Sequence, residues 1–369
     1  MAARIERLNG DIEIPATAAE ITAEWLTAAL RRPDDGEAVT VTGFRPAAMD
    51  ENVGVVGAIG RIDLTYDRPV AGMPESLVVK LAAADPRVAA TSARLGLYST
   101  EVGYYRNLAD GCPAQPPVCY YADIAKRGDR FVLLLEALEG YDFASFEAGC
   151  SFEEAKVVVT ALARLHGRHW GAAHLLQHRW LARPPVLARR LGSTVKRGLP
   201  LCREAFPDLL PEGLMARIDE ALPRFDAVLA DFCGRNLTLN HGDSHLNNMI
   251  VRDGGVRFYD WQTCAINNCA YDLAYFLNGN LADGVRAAHI GELVGLYHAV
   301  LTGESGARLS ADEVMAEYLA ASGVVTVLGV AIAGAFLSGT PKGRRIAEVL
   351  LARTGAAEQE TDGLARLMG

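Results

Sequence analysis

The segment Asn240–Gln262, NHGDSHLNNMIVRDGGVRFYDWQ, constrains this chain more than any other stretch. Two short apolar runs, Met249 to Val251 and Val256 to Phe258, flank Arg252-Asp253-Gly254-Gly255. An Asp-Gly pair between such runs predicts a β-hairpin. The hairpin gathers polar residues at its open end: Asp243 and Asn248 before the first strand, Asp260 after the second. Asn248 and Asp260 form an oxygen pair suited to a hard cation such as Mg²⁺. Asp243 is left free to take a proton from an attacking hydroxyl. The same residues admit a second chemistry, because His241, Asp243 and His245 share one face of an extended segment and could gather Zn²⁺ for a metal-dependent hydrolase.

His241-Gly242-Asp243-x-His245-x-x-Asn248, then Asp260-Trp261-Gln262, then Tyr271-Asp272-Leu273-Ala274-Tyr275 together resemble the aminoglycoside phosphotransferase and choline kinase superfamily. The doubled Asn247-Asn248, the Asp-Trp-Gln and the Asp-Leu-Ala-Tyr-Phe run are most similar to its ecdysteroid-kinase-like branch. The resemblance implies an α+β, protein-kinase-like fold of two lobes: an antiparallel sheet with one main helix, then a mostly helical lobe carrying the catalytic hairpin. It implies ATP and Mg²⁺ as cofactors and a hydroxyl of a small molecule, an aminoglycoside-, choline- or sterol-like alcohol, as phosphoryl acceptor. Asp243 becomes the catalytic residue, Asn248 and Asp260 the metal ligands. His241 and Asp272 become structural supports of the catalytic loop. Gly242 stands where protein kinases carry Arg, and only nine residues separate Gln262 from Asp272. That leaves no room for a peptide-docking activation loop and favours a small acceptor.

Upstream, Leu77-Val78-Val79-Lys80-Leu81 reads as a strand with Lys80 among apolar neighbours. A lysine there is costly to bury unless a negative charge meets it. The resemblance makes Lys80 the lysine on the α- and β-phosphates and Glu101 its carboxylate partner. Glu101 is the only acid between Pro86 and Leu108, on a helix predicted over 91–110. Gly54, Gly57 and Gly60 are read as a turn before a strand over 61–66, either one that closes over nucleotide phosphates or an ordinary hairpin turn. Strands over 118–123 and 131–136 lead into Glu136-Ala137-Leu138, which the resemblance makes the adenine-contacting hinge. The lobes are therefore divided as 1–138, nucleotide-binding with an N-terminal helical extension, and 139–369, helical with the catalytic loop and acceptor site.

The remaining expectations are structural. Thr17 and Glu20 suggest a capping box for a helix over 17–32, and Ser151 with Glu153 and Glu154 starts another. His166, on that helix's apolar stripe, reads as a hydrogen-bonded core residue. Helices over 179–231 are expected to break at the prolines. The stretch 323–339 is uncharged but reads as a buried helix without membrane insertion. A net charge of −9 argues against nucleic acid as a partner. Seven cysteines without paired spacing suggest reduced thiols and a cytoplasmic protein. A nucleotide-binding pseudokinase is the other alternative, against which the intact Asp243, Asn248, Asp260 and Lys80 count.

Overall fold

A computed structural model describes residues 12–31, 39–47, 57–69, 71–138, 145–210, 212–252, 254–337 and 339–369. The chain forms two compact units, Met1–Tyr141 with Tyr259–Thr263, and Asp142–Phe258 with Cys264–Gly369. No single cut after Leu138 separates them, because Tyr259–Thr263 packs with the first unit.

The first unit contains helix α1 (Ala23–Leu30), strands β1 (Val41–Ala47), β2 (Gly57–Tyr66) and β3 (Ser76–Ala82), helices α2 (Pro86–Leu95) and α3 (Leu97–Asn107), and strands β4 (Cys119–Ile124) and β5 (Phe131–Glu136). The strands form one antiparallel sheet in the order β1-β2-β3-β5-β4. Alternation along β3 decides what each face meets. Leu77, Val79 and Leu81 share a core with Leu26, Ala29 and Leu30 of α1. Lys80 pairs with Leu133 and occupies the opposite face, where Phe131 stacks on Tyr98 of α3.

Three expectations change here. The first helix starts at Ala23, capped by the Thr22 hydroxyl, which accepts the Trp25 N–H at 3.1 Å. Glu20 instead takes the Ala16 N–H, and only a 3₁₀ turn follows Thr17. The helix expected over 91–110 is two helices, divided at Gly96, whose φ of 73° ends α2 in the left-handed conformation that glycine tolerates. Gly57 and Gly60 lie in β2, paired with Ala82 and Val79, so they are not in a turn; Gly54 falls outside the described residues.

The second unit runs through α4 (Phe152–Arg168), α5 (Pro184–Ala205), α6 (Leu214–Cys233), β6 (Leu237–Asn240), β7 (Met249–Arg252), β8 (Gly255–Phe258), β9 (Ala265–Asn268), α7 (Ala270–Gly279), α8 (Val285–Ser305), α9 (Ala311–Phe336), α10 (Pro341–Thr361) and α11 (Gly363–Met368). Strand β6 pairs with β9, and β7 with β8, each antiparallel. Ser151 completes a capping box with Glu154 at the start of α4. Pro200 and Pro223 sit inside α5 and α6 rather than breaking them. Tertiary packing outweighs a local cost of about 3 kcal/mol per proline. Around Pro200 the packing is unusually close: a Cβ built at Gly334 of α9 would lie 2.2 Å from Gly198 O of α5. Helix α9 alone among the described residues is long and apolar enough to cross a membrane, and 78% of that stretch is buried within the protein.

Candidate active site

Two clusters hold the residues singled out in the sequence. In the first unit, Lys80 and Glu101 are both buried, and Lys80 Nζ lies 2.8 Å from Glu101 Oε1 and 2.6 Å from Asp260 Oδ1. Burial works against the charge of Lys80, yet Asp260 and Glu101 outweigh it and hold the ammonium above its ordinary value. Burial pushes the Glu101 carboxyl upward against the pull of Lys80. Asp260 adopts φ 64°, a left-handed conformation uncommon outside glycine. Its other oxygen accepts the Gln262 amide at 3.1 Å. Trp261 is fully buried and stacks on Tyr104 of α3, centroids 3.9 Å apart and planes within 5°. Its backbone N–H serves Glu101. These ties explain why Tyr259–Thr263 belongs with the sheet. At the end of β5, Glu136 accepts the Val118 N–H at 3.0 Å, and Ala137 and Leu138 follow outside any strand.

In the second unit, the loop from His241 to Asn248 is fastened to α7. Asp272 is fully buried, and its carboxylate accepts the N–H groups of His241 at 2.6 Å and Gly242 at 2.9 Å. Gly242 adopts φ 84°, so the arginine of protein kinases would be strained here. Ser244 donates to the Asp272 carbonyl, and Asn280 Oδ1 takes the Leu246 N–H. Behind Asp272, buried His166 places Nε2 at 3.3 Å from the carboxylate and Nδ1 at 2.7 Å from the Tyr297 hydroxyl. It is a hydrogen-bonded core residue. Asp272→Asn exchanges one accepting oxygen for a donor facing an N–H. This should cost about 1–3 kcal/mol, seen as a lower Tm. An unchanged Tm would count against the bracing role.

Asp243 stands at the open end of the loop. Its Oδ1 accepts the Tyr275 hydroxyl at 2.8 Å, and its Oδ2 accepts Asn248 Nδ2 at 3.0 Å. His245 Nδ1 accepts the Asn247 N–H, which leaves the ring proton on Nε2, 3.4 Å from Asp243 Oδ2. Burial would raise the Asp243 carboxyl, but His245 and the hydrogen bonds from His245 and Tyr275 hold it well below the usual carboxylate range. Burial pushes the Tyr275 phenol far up, so it stays a donor. Asn248 also gives Nδ2 to the Asp243 carbonyl, so its amide nitrogen is spent inside the loop. Asn248 in this unit and Asp260 in the first each carry a hard oxygen donor of the kind Mg²⁺ takes. The histidines are differently occupied: His241 Nδ1 accepts the Asp243 N–H at 3.3 Å. Among the described residues no three His, Cys, Asp or Glu side chains gather to hold a metal. The zinc-centred reading of His241, Asp243 and His245 thus finds no support in their placement.

Four contacts were invisible in the sequence: Tyr275 on Asp243, Gln262 on Asp260, Tyr104 under Trp261 and His166 behind Asp272. One signal was available, since Tyr275 lies three residues after Asp272 and so shares its helix face.

The model of the ecdysteroid kinase-like family matches residues 54–307. The chain belongs to that family. No curated protein matches this family member at the sequence level. Solved structures extend the likeness to the fold. Choline kinase from Cryptosporidium parvum Iowa II is 12% identical at TM-score 0.58, with 87% of this chain and 90% of that chain covered. A protein described as an aminoglycoside phosphotransferase from Ralstonia eutropha JMP134 is 12% identical at TM-score 0.54, with 92% and 97% covered. APH(2'')-IIia, solved with GDP and kanamycin, is 15% identical at TM-score 0.52, with 86% and 94% covered. The ecdysteroid kinase-like chain therefore has the protein-kinase-like α+β fold of these structures.

Proposed function

We propose that this ecdysteroid kinase-like protein transfers the γ-phosphoryl group of ATP to a hydroxyl of a small molecule, with Mg²⁺. The observation that carries the reading is Lys80, whose ammonium meets Glu101 and Asp260, residues 21 and 180 positions away in sequence. A buried cation needs negative charge around it, and phosphate oxygens are partners of the same kind as these carboxylates. A choline kinase and a protein solved with GDP and kanamycin among its fold neighbours support a nucleotide and a small acceptor. Aminoglycoside-, choline- and sterol-like alcohols all remain within that acceptor class.

Lys80, set by Glu101, would bind the α- and β-phosphates, and Asn248 and Asp260 would hold Mg²⁺. The bound ion neutralises charge on the phosphates. Asp243 orients the acceptor hydroxyl and takes its proton as the new O–P bond forms and the bond to the ADP oxygen breaks. Most of the rate comes from positioning, because little covalent chemistry is asked of the side chains.

The test is the melting temperature with and without ATP, each with and without Mg²⁺, beside Asp260→Ala. Ligand at about 100 times its Kd stabilises the native state by about 2.7 kcal/mol, a rise of several degrees at most. The rise should require Mg²⁺ and shrink in Asp260→Ala. No rise under any condition would overturn the nucleotide site.

A further inference from the structure

Helix α7 templates the loop that carries Asp243. Asp272 takes the His241 and Gly242 N–H groups, Ser244 donates to the Asp272 carbonyl, and Asn280, just past the helix, takes the Leu246 N–H. Tyr275, one turn after Asp272, is the helix residue that reaches the Asp243 side chain itself. As a residue Tyr275 is half-buried.

Counting acceptor positions on Asp243 gives this contact a further meaning. Each carboxylate oxygen accepts about two hydrogen bonds. Oδ2 accepts Asn248 Nδ2 at 3.0 Å and faces the His245 ring as an ion-pair partner at 3.4 Å. Oδ1 has one position taken by Tyr275 at 2.8 Å and one left. A hydroxyl that gives its proton to Asp243 is thereby directed to Oδ1, alongside the Tyr275 oxygen.

We infer that Tyr275 is the positioning residue of Asp243: its hydroxyl fixes Oδ1, so that the acceptor hydroxyl enters at the one remaining position on that oxygen. The inference rests on the phosphotransferase reading of this site. Without the phenol, the carboxylate loses the donor that distinguishes its two oxygens and turns more freely about χ2. A phenylalanine keeps the ring and removes only that hydrogen bond.

The test uses the full chain with Mg·ATP, water serving as the phosphoryl acceptor, together with a crystal structure of Tyr275→Phe. Turnover of Tyr275→Phe should fall about ten- to a hundredfold, while KM for ATP changes less than about twofold. Tyr275→Phe should add no further loss to Asp243→Asn, because the tyrosine acts through that carboxylate. The crystal structure should show the Asp243 carboxylate rotated or in two orientations. Turnover equal to wild type, a loss that adds fully to that of Asp243→Asn, or an unmoved Asp243 in the crystal would each overturn the inference. A wild-type protein that neither binds nor turns over Mg·ATP would overturn the phosphotransferase reading instead, and the Asp243 orientation in Tyr275→Phe would still decide what the tyrosine does.

Discussion

Asp243→Asn should lower phosphoryl transfer by about 10²–10⁴-fold while leaving the fold and ATP binding in place. The substitution keeps the size of the side chain and one oxygen to accept the Tyr275 hydroxyl at Oδ1. What is lost is the anion, which the surrounding donors hold well below the usual carboxylate range. An amide neither takes the proton of the acceptor hydroxyl nor draws that hydroxyl toward the phosphorus. The measurement is ATP turnover beside the Mg·ATP-dependent rise in Tm. Loss of turnover with the Tm rise intact assigns Asp243 to the chemical step. A variant as active as wild type would remove Asp243 from catalysis and leave the loop without a base.

The second large effect concerns Lys80. Lys80→Met should destabilise the first unit by about 3–5 kcal/mol, which lowers its Tm by roughly 10 °C. Methionine fills the same volume, so packing is conserved and the loss is electrostatic. Glu101, 1% exposed, would be left in the protein interior with Asp260 as its neighbour and no cation between them. Lys80→Met combined with Glu101→Gln should recover much of the stability, since the isolated buried charge is gone, while the rise in Tm with Mg·ATP stays abolished. Thermal unfolding of the two variants beside wild type checks this. If the single variant melts with wild type, Lys80 is not the buried keystone of this ion cluster.

Much of the site was legible because its chemistry is written in local patterns. Two apolar runs around a glycine pair make β7 and β8, which Asn248 precedes and Asp260 follows. A lysine inside an apolar strand announces a buried countercharge, and Lys80 has two. The capping box at Ser151 needed only four residues. What escaped depends on distant partners. The cap read at Thr17 lies instead at Thr22, whose hydroxyl takes the Trp25 N–H, while Glu20 takes the Ala16 N–H. Gly96 interrupts an otherwise helical stretch only because its backbone turns left-handed. Pro200 remains helical because α5 lies against α9 at Gly198 and Gly334. Periodicity places Tyr275 on the face of Asp272, but it does not say which side chain waits at 2.8 Å.

The Asp-Trp-Gln segment bears on how such a protein is controlled. Asp260 is held by Lys80 and Gln262, and Trp261 by Glu101 and the flat face of Tyr104. Swinging this segment outward would break an ion pair and expose a whole indole at once. Compounds that require that outward position will find no purchase, and nucleotide- or acceptor-competitive ones will have to serve instead. A protein built this way keeps its Asp-Trp-Gln segment cocked, and under the proposed function its output would follow the supply of its two substrates.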